Sequence, residues 1–324
     1  MSNATPSRLG QINSAGDQLA LFLKVFSGEV LTTFLRESVF RERHLVRTIP
    51  SGKSAQFPAT GIIQAYTHNP GDEILGNKVN ANERVINIEG LLIAPAFIAN
   101  IDEAMNHYDD RSIYSTDIGQ ALSKQYDQDV ARTMIMAARQ TTANVKGVFP
   151  NDALTSTEIN ASFATDGPTL FNGIYDAAPA LDARDVPSSD RSVFVRPVQY
   201  ALLIKSEKPF DYRLNDGQTG LGGYAAGEVR MIAGIPIIKT NNLISSNDVG
   251  NAAQPAGRQH DFSVSQALIA HRSAAGTVAL QDVTMESEYD MRRQGWLMLG
   301  KYLVGHDWLR PEGSYELQSG APAG

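Results

Sequence analysis

Apolar residues at helical spacing mark the first ordered segment of the chain, which begins after Asp17 and continues to Phe34. They recur every three or four residues: Leu19, Phe22, Leu23, Phe26, Val30 and Phe34. Other faces of the same helix are also apolar, through Leu21, Val25, Leu31 and Leu35. In aqueous solution, a helix that is apolar on more than one face must pack against other parts of the protein or against another molecule. We therefore expect its own domain or a neighbouring subunit to cover it.

A second segment predicts a long helix from Ser112 or Ser115 to about Thr141. Its apolar positions recur every four residues: Ile118, Leu122, Tyr126, Val130, Met134 and Ala138. Acidic residues crowd its start and arginines its end, as the helix dipole favours. At about 1.5 Å per residue it would be roughly 40 Å long, the length of a structural beam. A shorter helix is predicted from Leu170 to Arg184.

Residues 50–90 have no helical period and are divided by glycine and proline. Between these breaks lie two stretches of β-forming residues, Ile62–Tyr66 and Arg84–Ile88. They predict a long two-stranded hairpin whose polar, charged tip lies around residues 70–82. Because a two-stranded ribbon has no core of its own and is marginal in water, we expect it to lie on another surface.

The chain beyond residue 190 is rich in β-forming residues. Arg191–Val195 and Tyr200–Ile204 each fit a strand or a helix, Met231–Thr240 fits a strand, and Gln266–Ala270 fits a weaker strand. A glycine-rich loop follows Asn215, and the last stretch of the chain alternates between apolar and polar residues. No internal repeat of fixed period is present in the sequence.

Composition bounds the class of protein. A chain of 324 residues allows two domains of about 150 residues each, or one large elaborated domain. Its net charge of −7 argues against binding of nucleic-acid phosphates through clustered cations. The absence of cysteine excludes disulfides, thiolate metal sites and a cysteine nucleophile. The N-terminal residues are polar, and the longest apolar run, Leu91–Ala99, is too short to span a membrane, so we expect a soluble protein without a signal peptide.

No motif in the sequence predicts catalysis. Ser51–Ser54 resembles the end of a phosphate-binding loop, but Arg47 stands where that loop needs a glycine, so we expect a turn at the base of the hairpin. Gly220–Ala225 loosely matches a dinucleotide-binding fingerprint but precedes a predicted strand. The six histidines are scattered singly, which gives a zinc site little support. We expect no catalytic, cofactor-binding or metal-binding residues.

Two acidic combinations have structural explanations. Glu103 and His107 lie at helical spacing just before Asp109, where an acidic cluster at the start of the long helix is the better interpretation. Asp127 and Asp129 point to different faces of that helix, so they do not form an acid–base couple.

Five segments spread over the chain carry a family resemblance: Asp17–Phe34, Ser51–Pro58, Glu103–Ser112, His271–Val278 and Gly305–Glu312. With these segments the sequence resembles the major capsid protein of short-tailed double-stranded DNA phages, the T7-like podovirus group. Residues 142–265 match that family in pattern only. The resemblance implies the α+β Hong Kong 97 phage capsid fold, in which a peripheral domain contains a long spine helix and an axial domain surrounds the symmetry axes.

The resemblance also implies a division of the chain. Residues 1–48 resemble the N-terminal arm and residues 49–92 the extended hairpin called the E-loop. Residues 93–189 and 269–324 resemble the peripheral domain, and residues 190–268 the axial domain. In this fold the arm and the E-loop reach onto neighbouring subunits. The candidates for such contacts are Leu19, Phe22, Phe26, Phe34, Phe57, Tyr66, Asp72, Glu73, Lys78 and Arg84.

The function implied by the resemblance is structural. Copies of the chain would form pentamers and hexamers and build an icosahedral shell, which encloses double-stranded DNA without binding it specifically. The implied partners are other copies, a scaffolding protein, a portal protein at one vertex and a decoration protein, with no membrane. The protein would be assembled in the host cytoplasm and reside in the virion, held by non-covalent contacts. The alternatives are an encapsulin-like nanocompartment shell of the same fold and, less favoured, a cytosolic enzyme that uses a nucleotide.

Overall fold

The computed structural model describes residues 30, 32–34, 37–61, 63, 65–71, 73–74, 76–99, 110–145, 154–206, 229–252 and 254–322, with the backbone alone at residues 110–112. These residues divide into two compact units. Unit 1 is drawn from Met1–Ser38, Gly90–Tyr126 and Leu280–Val304. Unit 2 is drawn from Val39–Glu89, Asp127–Ala279 and Gly305–Gly324.

The strands are, in chain order, β1 (Leu45–Thr48), β2 (Ser54–Thr60), β3 (Ala81–Asn87), β4 (Leu92–Ala99), β5 (Thr157–Ile159), β6 (Arg191–Val195), β7 (Met231–Ile232), β8 (Ile235–Lys239), β9 (Ser265–His271), β10 (Ala275–Asp290), β11 (Gly295–Trp308) and β12 (Ser314–Gln318). The helices are α1 (Asp110–Ala138), α2 (Gly167–Asp182) and α3 (Pro197–Lys205). Residues 30, 32–34 and 37 are also helical. The predicted long helix is confirmed as α1, which starts and ends a few residues earlier than expected.

In unit 1, β11 lies between β10 and β4. It runs antiparallel to β4, with Tyr302 opposite Leu92. The first half of α1 buries Ile118 and Leu122 from the predicted stripe. A Cβ on Gly300 of β11 would lie 2.6 Å from Ile118 Cγ2, so the missing side chain is what lets the helix approach the strand closely.

Three aromatic rings pack against one another in the core of unit 1. Phe34 meets Tyr126 edge-on with ring centroids 5.7 Å apart, and Tyr126 meets Tyr302 edge-on at 6.0 Å. This geometry sets the positive edge of one ring against the negative face of the next, which aromatic pairs prefer. Tyr126 is thus a core residue, as its place in the i, i+4 stripe predicts.

Unit 2 contains a six-stranded sheet in the order β5-β12-β9-β6-β8-β7. On one face, Leu170 and Ile174 of α2 belong to the same buried apolar cluster as Val193 of β6. On the other, Phe194 stacks on Phe40 with centroids 4.2 Å apart. Because both faces of β6 and β9 are covered, their residues are buried nearly without a break, and the sequence shows apolar runs there instead of alternation.

The hairpin is confirmed, but its predicted first strand is wrong. The antiparallel ladder between β2 and β3 closes where the Gly61 N–H donates to the Asn80 carbonyl oxygen at 2.8 Å. The predicted strand Ile62–Tyr66 lies beyond that point, in a tip whose described residues belong to no strand. Ile63 and Tyr66 are exposed there. β-forming side chains favour a strand mainly where they pack against a surface, and these two side chains are largely exposed.

Three other predictions are sharpened by local chemistry. The helix expected from Leu170 starts at Gly167, because the Asp166 side chain caps it by accepting a hydrogen bond from the Thr169 N–H. Tyr200–Ile204 is helical, with Pro197 at the start of α3. The expected strand Met231–Thr240 is split into β7 and β8 by a turn at residues 233–234, whose φ angles are 50° and 79°. No helix within the described ranges is long and apolar enough to span a membrane.

Candidate functional site

Large apolar side chains stand exposed at the tip of the hairpin, the segment between β2 and β3. Ile63 is 69% exposed, Tyr66 56% and Ile74 71%, and Val79 is exposed as well. Glu73 and Lys78 lie exposed in the same segment. Single exposed apolar residues are ordinary, but several on one ribbon without a core of its own indicate a surface that another molecule covers. We call Ile63, Tyr66, Ile74 and Val79 the tip cluster.

The base of the hairpin is fixed within unit 2. Arg84 of β3 contacts both carboxylate oxygens of Asp307 at 3.0 and 2.8 Å, and its guanidinium lies 3.7 Å from the ring centre of Trp308. The Asn82 side chain donates to the Asn144 carbonyl oxygen at 2.7 Å. These contacts anchor β3 at its middle and near its first residue, so the paired part of the hairpin is fixed while the tip residues stay exposed.

A cavity of about 460 Å³ lies beside that base. Leu45, Phe57 and Leu309 give it apolar walls, and arginines stand among its other lining residues. Arg84 pairs with Asp307, Arg310 pairs with Glu312 at 2.7 Å, and Arg184, which also lines the cavity, donates to the Ser156 hydroxyl at 2.8 Å. Each of the three lining arginines is thus engaged by a side chain of the same chain.

A second exposed apolar surface lies in unit 1. Ile93 and Phe97 of β4 are exposed, and Leu297 of β11, directly opposite Phe97, is exposed on the same face. Exposure alternates along β4, and the side chain of Ile98, next to Phe97, is buried on the opposite face. We call Ile93, Phe97 and Leu297 the β4 row.

The residues predicted from the resemblance fall into three groups. Leu19, Phe22, Phe26 and Asp72 lie outside the described residues. Tyr66, Glu73 and Lys78 are exposed, whereas Phe57 and Arg84 are half-buried. Phe34 is 1% exposed and packs on Tyr126 and Tyr302, so in unit 1 its ring belongs to the core of its own chain.

A buried chain of hydrogen bonds that joins two histidines through a threonine was not predicted from the sequence. Thr277 Oγ1 lies 2.8 Å from His44 Nε2 and 2.8 Å from His306 Nδ1, and His44 Nδ1 lies 2.6 Å from the Phe40 carbonyl oxygen. Burial is the main cause that lowers the pKa of His44 to about 4 and the pKa of His306 well below its usual value. The two histidines are far apart in sequence, so no spacing rule could pair them.

An ion network continues from these histidines through unit 2. Glu89 accepts a hydrogen bond from the His306 backbone N–H at 3.2 Å and pairs with Arg258. Arg258 approaches Asp129, which pairs with Arg132 at 2.9 Å. Arg132 also pairs with Asp248 at 2.8 Å. Every carboxylate in this network is engaged by a cation, so its evident role is to join the end of the hairpin, α1 and the 246–258 segment.

The motifs weighed for catalysis have structural roles where they are described. Residues 51–53 form a bend in which Gly52 has φ +118°, and Ser54 begins β2, so a strand and not a helix follows the bend, as expected. Asp127 accepts hydrogen bonds from the Val39 and Phe40 N–H groups, on contacts separate from those of Asp129. Gly220–Ala225, Glu103 and His107 lie outside the described residues. In the part of the chain that the structure describes, no group of acidic residues and histidines is placed to hold a metal ion.

Known proteins are similar to this chain in sequence and in fold. A family model described as Gp10A-like major capsid protein matches residues 56–318. The chain is 33% identical to the major capsid protein of Escherichia phage T7, over 92% of each chain. It is also 33% identical to the minor capsid protein of that phage, over 96% of this chain and 83% of the other. The capsid structure of cyanophage P-SCSP1u superposes with a TM-score of 0.77 at 36% identity, over 98% of this chain and 99% of that chain.

Proposed function

The chain belongs to the Gp10A-like family of major capsid proteins, and from this premise we propose how its copies build a shell. It is a structural protein of a phage capsid with the α+β Hong Kong 97 fold, and its place is the virion. The family expected from the five sequence segments is thereby confirmed. Because the relatives are structural capsid proteins of phages T7 and T3, a nucleotide-using enzyme is decided against and a nanocompartment shell is not favoured.

Copies of the chain form pentamers and hexamers, which close into an icosahedral shell around double-stranded DNA. The observation that carries this proposal is the tip cluster, a set of large apolar side chains exposed at the tip of an anchored ribbon. Contacts of this kind are individually modest, and closed symmetry repeats them around each axis, so that a stable container results from many weak interactions. The net charge of −7 suits a shell that encloses DNA without binding it specifically.

We assign roles along the chain in the order that the resemblance implies. Residues 1–48 are the N-terminal arm and residues 49–92 the E-loop. Residues 93–189 and 269–324 form the peripheral domain, with α1 as its spine helix, and residues 190–268 form the axial domain. Two exposed surfaces support these roles as contact sites for neighbouring copies: the tip cluster of the E-loop and the β4 row.

Among the predicted contact residues, Tyr66, Glu73 and Lys78 are proposed to meet a neighbouring copy directly, because they are exposed on the E-loop. Phe57 and Arg84 lie nearer its base, where Arg84 holds the ribbon in position through Asp307. Leu19, Phe22, Phe26 and Asp72 remain predictions. Phe34 is proposed to support the arm from within the core of unit 1.

Family resemblance also supports partners beyond the shell itself. A scaffolding protein would guide assembly in the host cytoplasm, and a portal protein would occupy one vertex. A decoration protein on the outer surface is proposed on the same ground. The described residues include no surface that singles out any of the three, so each is a proposal from the family alone.

Shell assembly with altered E-loops tests the proposal. In the variant I63S/Y66S/I74S the tip cluster becomes polar while the anchored base is unchanged. We expect the subunit to fold normally, with wild-type circular dichroism, and to give few closed shells by negative-stain microscopy in the presence of scaffolding protein. The matched control I63L/Y66F/I74L keeps the surface apolar and should still assemble.

Normal, stable shells from I63S/Y66S/I74S would contradict the role of the tip cluster. Persistent small oligomers from the wild-type chain under the same conditions would contradict assembly by this chain altogether.

A further inference from the structure

One hydroxyl group joins two buried imidazoles in unit 2. His44 precedes β1, Thr277 lies on β10 and His306 on β11, and all three side chains are buried. The chain of hydrogen bonds ends at the Phe40 carbonyl oxygen, which can only accept. This end point fixes the position of every proton along the chain.

The protons are assigned from Phe40 outward. Because the carbonyl accepts, His44 Nδ1 carries a hydrogen, and in a neutral ring His44 Nε2 is then an acceptor. Thr277 must donate its single hydroxyl hydrogen to His44 Nε2. Thr277 Oγ1 can then only accept from His306 Nδ1, which therefore also carries a hydrogen. Both histidines are Nδ1–H tautomers, and all three donors of the chain are used.

An added proton disturbs this arrangement. If His44 Nε2 gains a hydrogen, it faces the hydroxyl hydrogen of Thr277, which must turn away. Thr277 then has nothing to donate to unless His306 changes its tautomer as well. If both rings are protonated, the hydroxyl receives two donors, and its own hydrogen has no acceptor within the chain. Two positive charges would also be buried on either side of one oxygen.

The charges around the two rings oppose protonation. Arg272 and Arg41 lie near His44, and Arg272 Nε donates to its carbonyl oxygen at 3.4 Å. Arg258 lies near His306, and each histidine is a close neighbour of the other. Glu89 is the carboxylate on this side, but it is bound to Arg258 and accepts from the His306 backbone N–H, not from the ring.

We propose that the His44–Thr277–His306 chain is an acid-sensitive lock: it holds β1, β10 and β11 of unit 2 together while both imidazoles are neutral, and it is lost when they take up protons. The lock acts on the folding of the chain and does not rest on how copies assemble. It would make the subunit, and any shell built from it, less stable in mildly acidic surroundings.

The direction follows from proton linkage. The folded pKa of His44 is about 4, below its ordinary value of 6.5, so the unfolded chain binds more protons between these two values. The stabilisation is therefore present above pH 6.5 and is lost as the pH falls toward 4. For His44 alone, the unfolding equilibrium constant should rise about 20-fold between roughly pH 7 and pH 5, and His306 adds to this. Glu89 acts in the opposite direction, because burial raises its pKa.

The test is the pH dependence of unfolding of the full, unassembled chain in urea. In the double variant H44Q/H306Q, the rise in the unfolding constant from pH 7 to pH 5 should be smaller than in the wild type by at least about 20-fold, whatever its absolute stability. The control H68Q changes an exposed histidine of the hairpin tip and should keep the wild-type pH dependence. An unchanged pH dependence in H44Q/H306Q would overturn the proposal.

A second measurement on the wild-type chain does not require a folded variant. With ¹⁵N-labelled histidine, two of the six side chains should show the Nδ1–H tautomer and remain neutral at pH 5. Assignment uses H44Q and H306Q where they fold. Six histidines that all titrate near pH 6.5 would refute the lock.

Discussion

Arg139 and Glu316 form a two-pronged ion pair inside unit 2. Arg139 Nη2 lies 2.8 Å from Glu316 Oε1, and Arg139 Nε lies 2.8 Å from Glu316 Oε2. The Glu316 side chain has no exposure at all. Arg139 also donates to the Asp261 carbonyl oxygen at 2.7 Å, and Gln318 donates to Glu316 Oε2 at 2.7 Å. The pair therefore ties the residue that follows α1 to strand β12 with all its main polar groups engaged.

Removing one partner of this pair should be costly. In E316L, Arg139 would keep its charge in a buried place without its carboxylate, and we expect a loss of about 3–5 kcal/mol in the free energy of unfolding. The double variant R139M/E316L removes both charges and should recover much of that loss. Urea unfolding of the unassembled chain measures both. A change below about 1 kcal/mol in E316L would mean that the pair is not buried in solution.

Gly167 allows α2 to start directly against α3. A Cβ at this position would overlap the Leu202 carbonyl oxygen, and a backbone atom cannot rotate out of the way. We expect G167A to lower the free energy of unfolding by about 1–3 kcal/mol, although alanine is the better helix former. The control is G257A, whose Cβ would meet nothing within 4 Å. Equal urea midpoints for the two variants would contradict this packing.

Local patterns were sufficient to predict the elements that carry a regular apolar stripe. The stripe from Ile118 to Ala138 predicted α1 because every fourth residue packs on the same side. The hairpin was predictable from its turn residues, but not its register. The residue types at Ile62–Tyr66 favour a strand only where a surface covers them. The residues that actually pair with β3 are those of β2, which lie before Gly61.

The buried polar network could not be predicted, because its members come from distant parts of the chain. His44 and Thr277 are 233 residues apart, and each looks unremarkable in its own segment. Asp129 and Arg132 stand on α1 at the i, i+3 spacing typical of an exposed ion pair, yet both are buried and also pair with Arg258 and Asp248 from another segment. The tip cluster was not predicted either, because the sequence indicated a polar, charged tip and placed Ile63 and Tyr66 in a strand; Ile74 and Val79 are exposed there among polar neighbours.

Glu89 should make its own contribution to pH dependence. Burial is the main cause that raises its pKa above the ordinary value of 4.5, and Asp129 adds to this, against Arg258 and the His306 N–H. Because the folded pKa lies above the unfolded one, the stabilisation is complete below pH 4.5 and is lost as the pH rises through the folded pKa. In E89Q this titration is absent. The stability of the wild type relative to E89Q should therefore fall as the pH rises from about 4 to 7.

Urea unfolding across that range provides the measurement for Glu89. E286Q is its control, because Glu286 is exposed and pairs with Lys301 on the surface. A wild-type-minus-E89Q difference that stays constant with pH would show that the carboxyl titrates equally in the folded and unfolded chain.

Arg84 should control how firmly the base of the hairpin is held. Lysine keeps the positive charge but loses the two-pronged contact with Asp307 and the planar stacking on Trp308. Because the pair is about one-third exposed, the expected loss in R84K is small, about 1 kcal/mol. It should be local. Hydrogen exchange of the β3 amides should accelerate while that of β6 and β9 is unchanged, and uniform protection in R84K would contradict an anchoring role.

The β4 row should matter for assembly and not for folding. Phe97 and Leu297 face each other across β4 and β11 and are 42% and 37% exposed, so polar substitution removes only the covered part of each side chain. In F97S/L297S we expect the free energy of unfolding to fall by about 1–3 kcal/mol, with the subunit still folded. Covering such side chains with another copy would contribute about 1–2 kcal/mol for each, in proportion to their exposed area. The yield of closed shells should therefore drop, as measured by sedimentation, whereas the apolar control F97L should assemble like the wild type. Wild-type yields from F97S/L297S would show that this face of unit 1 stays exposed in the shell.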